Sequence, residues 1–317
     1  MSRLHPLETW NLESEDGTNS NTMFFAAKTV RVPATIANLG PGFDCLGLAV
    51  GLWLHASAEP NQQPEFIYGG NGTVPSQDNL MHAGWNAAFR SLGLEPASAR
   101  ITCQNPIPLA RGMGSSSAAL VAGAALADLV LNGQLGREGV LRVCTALEGH
   151  PDNVAPAVLG GFTASVMQHD QPVSVSLALP DSWRAVFAIP DFELKTSQAR
   201  SVLPEQYSKA DTIFNASRTA LWVAALSAKR YDLLRLACQD RMHQPQRAQF
   251  VPGLLETIEA ALDAGAVAAF LSGAGPSLAA LCEAADVAVV KNAMLPFAAR
   301  ILELPIATGF EEVLHGR

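Results

Sequence analysis

The sequence predicts a mixed fold of the α+β or α/β class, arranged as two domains. Three observations carry this. Strand-type segments alternate with helix-type segments along the chain. The 317 residues are 49% apolar, enough for one large core or two ordinary ones. No internal repeat or low-complexity tract takes the place of a packed core.

Residues 1–22, MSRLHPLETWNLESEDGTNSNT, are polar and acidic, without a basic start or an apolar stretch. A disordered tail is expected over 1–26. From Lys28, KTVRVPATIANLGPGFDCLGLAVGLWLHASAE is β-branched and alternating at both ends around an Asn-Leu-Gly-Pro-Gly turn, which reads strand, loop, strand. An extended segment at Glu65–Tyr68, a helix over Asn79–Leu92 and a strand near Ala99–Gln104 follow. That strand delivers the chain to RGMGSSS, which runs into a helix over Ser116–Leu131 with high Ala and Leu content. After an Asn-Gly break come a helix at about Arg137–Ala146, the polar cluster LEGHPDNVAP and a strand in GGFTASVM. QHDQP at 168–172 is the expected boundary, within about ten residues either way. An N-terminal domain over 27–170 and a C-terminal domain over 171–317 result.

The second half is expected to open with strands at Val173–Leu179 and Arg184–Ile189 and to continue through helices near Asp211–Lys229 and Leu254–Ala264. Two apolar strands then flank Ser-Gly-Ala-Gly-Pro-Ser, a return with bare backbone at its tip. A last helix at about Asp286–Arg300 precedes a short terminal strand.

A net charge of −8 and a pI near 5.4 supply no basic stripe for nucleic acid or an anionic membrane. The five cysteines are odd in number, widely spaced and without a C-x-x-C pair, so neither a disulfide framework nor a zinc site is indicated. The longest apolar run, Ala118–Leu131, is interrupted by Asp128 and falls short of the roughly 20 residues a bilayer span needs.

Gly112 and Gly114 directly before a helix make an anion site: bare backbone amides meet the positive end of the helix dipole, and phosphate is the natural guest. A plain helix cap by one of the serines is the structural alternative. No lysine follows the glycines, so this is not a P-loop. Ser117 stands where a dinucleotide fingerprint needs its third glycine, which counts against an oxidoreductase.

PLARGMGSSSAA resembles the ATP-binding motif of the GHMP small-molecule kinases, VRVPATIANLGPGFDCLGLAV their first motif and FLSGAGPS their third. With EGHPDNVAPAVLGG and HQPQRAQFVPG, the match is to the homoserine branch of that family and covers nearly everything after Lys28. The resemblance implies an N-terminal ribosomal-protein-S5-like domain and a C-terminal ferredoxin-like domain. It further implies ATP on the glycine loop, phosphorylation of the hydroxyl of L-homoserine for threonine biosynthesis, a cytoplasmic location and a homodimer.

On that basis Pro108, Arg111, Gly112, Met113, Gly114, Ser115, Ser116 and Ser117 belong to the nucleotide site, and Asn79 matches an adenine-side asparagine, although a helix cap explains it equally well. Ser116 and Glu148 match Mg²⁺ ligands, with Ser115 the second choice of hydroxyl. Asp44 is expected at the substrate ammonium, Asn38 at its hydroxyl, and Arg200 and Arg247 around its carboxylate. His150 and Asn153 line the substrate, and Thr196 lies near the reacting hydroxyl or γ-phosphate. Asp152 reads as a turn or supporting residue and is the carboxylate to test as a base; no lysine is evidently placed to pair with one. Each of these has an ordinary alternative as a cap, a turn or a solvated side chain. A GHMP kinase of another small alcohol, such as mevalonate, and a non-catalytic metabolite sensor on the same fold are the competing functions. The Ser116–Glu148 pair argues against the sensor, because a binder has less need of Mg²⁺.

Overall fold

Pro33 has no backbone N–H to give to a neighbouring strand, and the first β-pair shows the consequence. Strand β1 (Lys28–Ala37) lies antiparallel to β2 (Leu46–Pro60), and their register shifts at Pro33/Ala34. This computed structural model describes residues 25–70 and 79–314. Most of the expected tail lies outside them, while Phe25 packs its ring 6.0 Å from that of Trp85.

Fifteen-residue β2 organises the first sheet. Its later half pairs with β4 (Ala99–Asn105), which runs parallel to β3 (Glu65–Gly70). Its first residues pair with β5 (Phe162–Gln168), and β5 forms a hairpin with β6 (Gln171–Leu177). The turn residues His169 and Asp170 both have left-handed backbone, as a tight hairpin requires. The strand expected near 173–179 therefore belongs to the first sheet, and the chain leaves that sheet between Leu177 and Trp183.

Helices α1 (Leu80–Ser91), α2 (Ser115–Val130), α3 (Gly136–Glu148) and α4 (Val154–Leu159) accompany this sheet. α2 is buried almost all round, as its Ala/Leu/Val sequence demands, and packs on β1, β2 and α1.

The second sheet is antiparallel, in the order β10 (Arg300–Pro305), β7 (Trp183–Ile189), β9 (Leu278–Glu283), β8 (Ala268–Leu271), the ferredoxin-like order. Between β7 and β8 lie α5 (Thr196–Ser201), α6 (Lys209–Ser227), α7 (Leu234–Ala237), α8 (Gln244–Arg247) and α9 (Leu254–Asp263). α10 (Val287–Met294) stops earlier than expected, because Pro296 turns the next residues into a short 3₁₀ segment. Strand β11 (Glu311–Glu312) returns to pair with β1.

Trp222 of α6 joins the two halves, its ring 5.8 Å from Phe162 of the first sheet and 6.2 Å from Phe270 of the second. All five cysteines are free thiols, four of them buried. No helix of the described residues is long and apolar enough to cross a membrane.

Candidate active site

The glycine loop holds its shape through backbone contacts. Gly114 is the residue before α2, with φ +71°, and a Cβ there would sit 1.9 Å from the Thr35 hydroxyl oxygen. Only glycine fits. Thr35 N–H donates to Met113 O at 3.1 Å, and the Ser272 hydroxyl donates to Gly112 O at 2.6 Å, so the first and third motifs clamp the loop from either side. The first intrahelical bond of α2 runs from Ala118 N–H to Gly114 O at 2.9 Å. The amides of Ser115, Ser116 and Ser117 precede that bond, and Gly114 has no side chain to cap them. Their dipole end opens toward a cavity of about 510 Å³ lined by Arg111, Gly112, Met113, Gly114, Ser115 and Ser116.

The serines have separate fates. Ser115 Oγ accepts from Asn105 Nδ2 at 2.9 Å and is held away from other work. Ser116 Oγ donates to Glu148 Oε1 at 3.3 Å and Ser117 Oγ to the same oxygen at 3.0 Å. Ser117 is fully buried and is not part of the cavity wall. Glu148, the last residue of α3, thus stands at the N-terminus of α2 and also lines the cavity.

At one end the wall is apolar, with Leu54, Phe66, Met81 and Cys103. Asn79 belongs there and also caps α1: Oδ1 accepts from Met81 N–H at 2.8 Å, while the buried Nδ2 has no partner among the described residues. Pro108 lies on the same wall.

At the other end Asn38 and Asp44 project from the β1–β2 loop, both with left-handed backbone. Asn38 Oδ1 accepts from Asp44 N–H at 3.0 Å, and its Nδ2 donates to Gly273 O at 3.0 Å. The half-buried Asp44 carboxylate takes a two-point contact from Arg200, Nη2 to Oδ1 at 2.6 Å and Nη1 to Oδ2 at 3.1 Å. The residues expected at opposite charges of the substrate are therefore partners of each other. Arg247 is 1% exposed, with Nε donating to Ala199 O at 3.2 Å and Nη1 to Gly273 O at 3.0 Å. Burial, with the charge of Arg200 nearby, lowers its pKa to about 10, so it stays cationic at neutral pH.

His150 Nδ1 lies 2.6 Å from Oδ1 of buried Asp152, and that hydrogen bond raises the imidazole pKa above its ordinary 6.5 against the opposing effect of burial. Asn153 accepts from the Thr35 hydroxyl at 2.7 Å and sits on the wall beside them. Thr196, the first residue of α5, lines the cavity from the second domain.

Every expected site residue except Ser117 lines this one cavity. Sequence reasoning missed Lys195, next to Thr196 on the wall, and the Phe66/Tyr68 face. The lysine directly precedes Thr196 in the sequence; the aromatic face has no local signal.

A glycine cradle at a helix N-terminus, facing a polar pocket across a cleft, is the arrangement a small-molecule kinase needs. The family description "GHMP kinases N terminal domain" matches residues 79–161, and "GHMP kinases C terminal" matches 222–298. Homoserine kinase of Thermus thermophilus is 54% identical over 282 residues, 88% of this chain and 96% of that protein. Homoserine kinase of Moorella thermoacetica is 44% identical over 80% of this chain and 86% of its own length. The crystal structure of homoserine kinase from Cytophaga hutchinsonii superposes with a TM-score of 0.82 at 26% identity, covering 96% of this chain and all of that one. The chain belongs to the homoserine kinase family of GHMP kinases.

Proposed function

We propose that this protein transfers the γ-phosphoryl group of ATP to the side-chain hydroxyl of L-homoserine, giving O-phospho-L-homoserine and ADP. One observation carries the reading: the phosphate cradle and a set of groups suited to an amino acid share a single cavity. The α2 amides and Arg111 face the phosphates, and the Asn79 amide and the apolar wall face the base. Ser116 and Glu148 fit a Mg²⁺ site, because two hydroxyls already converge on one hard carboxylate oxygen at the phosphate end. Bound there, the ion would neutralise charge on the phosphate oxygens.

A zwitterionic acceptor exchanges one ion pair for two. Its ammonium meets Asp44 and its carboxylate meets Arg200 and Arg247, so neither protein charge is left alone. An acceptor with a carboxylate but no ammonium competes with Asp44 for Arg200 and offers Asp44 no cation in exchange, which disfavours mevalonate. Asn38, Thr196, His150 and Asn153 orient the hydroxyl and backbone of the acceptor. The hydroxyl oxygen bonds to the γ-phosphorus as the bond to the ADP oxygen breaks, and its proton passes late to an oxygen of the transferred group. Asp152 is a poor candidate for base because it already holds the His150 imidazole.

The reading includes a homodimer, supported by edge strand β6, which has no charged residue and leaves Val173 and Val175 exposed. It also places the enzyme in the cytoplasm as part of threonine biosynthesis. The test is ADP release with L-homoserine, L-serine, L-threonine and mevalonate in parallel. Fast, Mg²⁺-dependent turnover with homoserine alone is expected. Silence on homoserine with intact ATP binding would overturn the reading in favour of another alcohol or a sensor.

A further inference from the structure

His243 lies outside the cavity wall, at full burial, yet it touches two parts of the acceptor end. Its Nε2 is 2.7 Å from Gly40 O, and its Nδ1 is 3.1 Å from Arg247 Nη1. A carbonyl oxygen only accepts and a guanidinium only donates, so the two contacts fix one arrangement of protons. Nε2 carries hydrogen and Nδ1 carries a lone pair. The two contacts make the ring neutral, and burial lowers its pKa in the same direction, against the opposing charge of Asp240, whose Oδ2 lies 3.7 Å from Nε2.

Gly40 belongs to the turn that presents Asn38 and Asp44. That turn is pressed hard on the second domain: a Cβ on Gly40, whose φ is +83°, would lie 2.0 Å from Cys238 O. Pro41 O accepts from the Thr219 hydroxyl at 3.1 Å, and the Phe43 ring stands 5.4 Å from the His243 ring. Arg247 in turn holds Ala199 O of α5, the helix that carries Thr196 and Arg200. It also shares the Gly273 carbonyl with Asn38. Asp240 pins the start of α8, its Oδ2 accepting from His243 N–H at 2.9 Å and Gln244 N–H at 2.7 Å.

We propose that His243 is a positioning residue for acceptor recognition: as a neutral Nε2–H tautomer it locks the Asn38–Asp44 turn and Arg247 into one fixed spacing without touching the acceptor. This rests on the homoserine reading for the identity of the acceptor, though not for the contacts themselves. His243 touches no residue of the nucleotide cradle, and its route there runs through Arg247, Gly273 and Ser272, so the larger effect falls on the acceptor.

The experiment compares His243→Leu, which removes both contacts at similar size, with His243→Gln, which restores a donor near Gly40 O. Wild-type turnover of homoserine is measured first, so that failure of the substrate assignment is seen separately. KM for homoserine is expected to rise about tenfold or more in the Leu variant, with KM for ATP changed less than about twofold, and to recover in part with Gln. Equal rises in both KM values, or none in a folded Leu variant, would overturn the proposal. Long-range ¹H–¹⁵N spectra of the wild-type protein give a second readout independent of turnover. A neutral Nε2–H ring at neutral pH supports the proposal, and an imidazolium overturns it.

Discussion

At the glycine-loop end of the cleft the groups on offer are main-chain amides, whereas at the end around Asp44 and Arg200 they are side chains drawn from both halves of the chain. Gly112, Gly114 and Ser116 are close neighbours in sequence, in the loop and first turn at the start of α2. Asp44 and Arg200 are 156 residues apart and meet only because the two sheets are docked. Backbone recognition tolerates a change of side chain that leaves the turn intact. Side-chain recognition depends on the relative placement of the domains. The same cavity therefore has one end whose groups come from a single short stretch, braced by Thr35 and Ser272, and one end assembled from stretches far apart in the chain.

Substitutions can separate the two ends. The largest effect is expected from Gly114→Val, which puts a branched side chain at φ +71° against Thr35. Misplacing the cradle amides should lower kcat/KM by about 10²–10³ and weaken ATP binding, with strain of about 1–3 kcal/mol in stability. Steady-state kinetics and denaturant unfolding check both. A variant that kept ATP affinity would show that the amides are not the phosphate site.

Arg200→Ala removes the two-point contact to Asp44 and should raise KM for homoserine roughly 10- to 100-fold with little change for ATP. Matching changes for both substrates would erase the distinction between the ends.

Asn79→Ala is expected to act at the nucleotide end in two ways. Losing the α1 cap should cost about 1 kcal/mol of stability, and losing the unpartnered amide should raise KM for ATP severalfold. An effect on stability alone would reduce Asn79 to a cap.

The smallest effect concerns pH. The His150 pKa is raised in the folded protein, chiefly by its hydrogen bond to Asp152, so its contribution to stability is fully present below the ordinary 6.5 and is lost as pH rises through the raised value. Urea unfolding should therefore show wild type ahead of His150→Gln at mildly acid pH, with the gap closing toward alkaline pH. A gap that widened with pH would mean the imidazole is neutral in the native state.

Much of the fold can be read from the chain because its signals are local. Alternation marks β1 and β2, Asn79 marks the start of α1, and the glycines mark the entry to α2. β6 misleads because alternation shows that a segment is a strand and says nothing about its sheet. Pro296 marks the end of α10, and the helix was nonetheless expected to run on to Arg300. In the site, residue types and motifs locate the cavity wall, but not which wall residues hold each other. Ser115 and Ser116 look equivalent in sequence. Only the approach of Asn105 to one and Glu148 to the other distinguishes them.

The sequence by itself determined the order of strands and helices, the glycine turn before α2 and the polar residue types that line the cavity, since each depends on backbone preference or composition within a few residues. Tertiary structure alone decided that Arg200 faces Asp44, that Arg247 is buried on Gly273, and that His243 holds the Gly40 turn. The first and last of these contacts cross from one sheet's layer to the other's, and all three join residues far apart in the chain by burying charge or ring against a carboxylate or a backbone carbonyl, which no local pattern encodes.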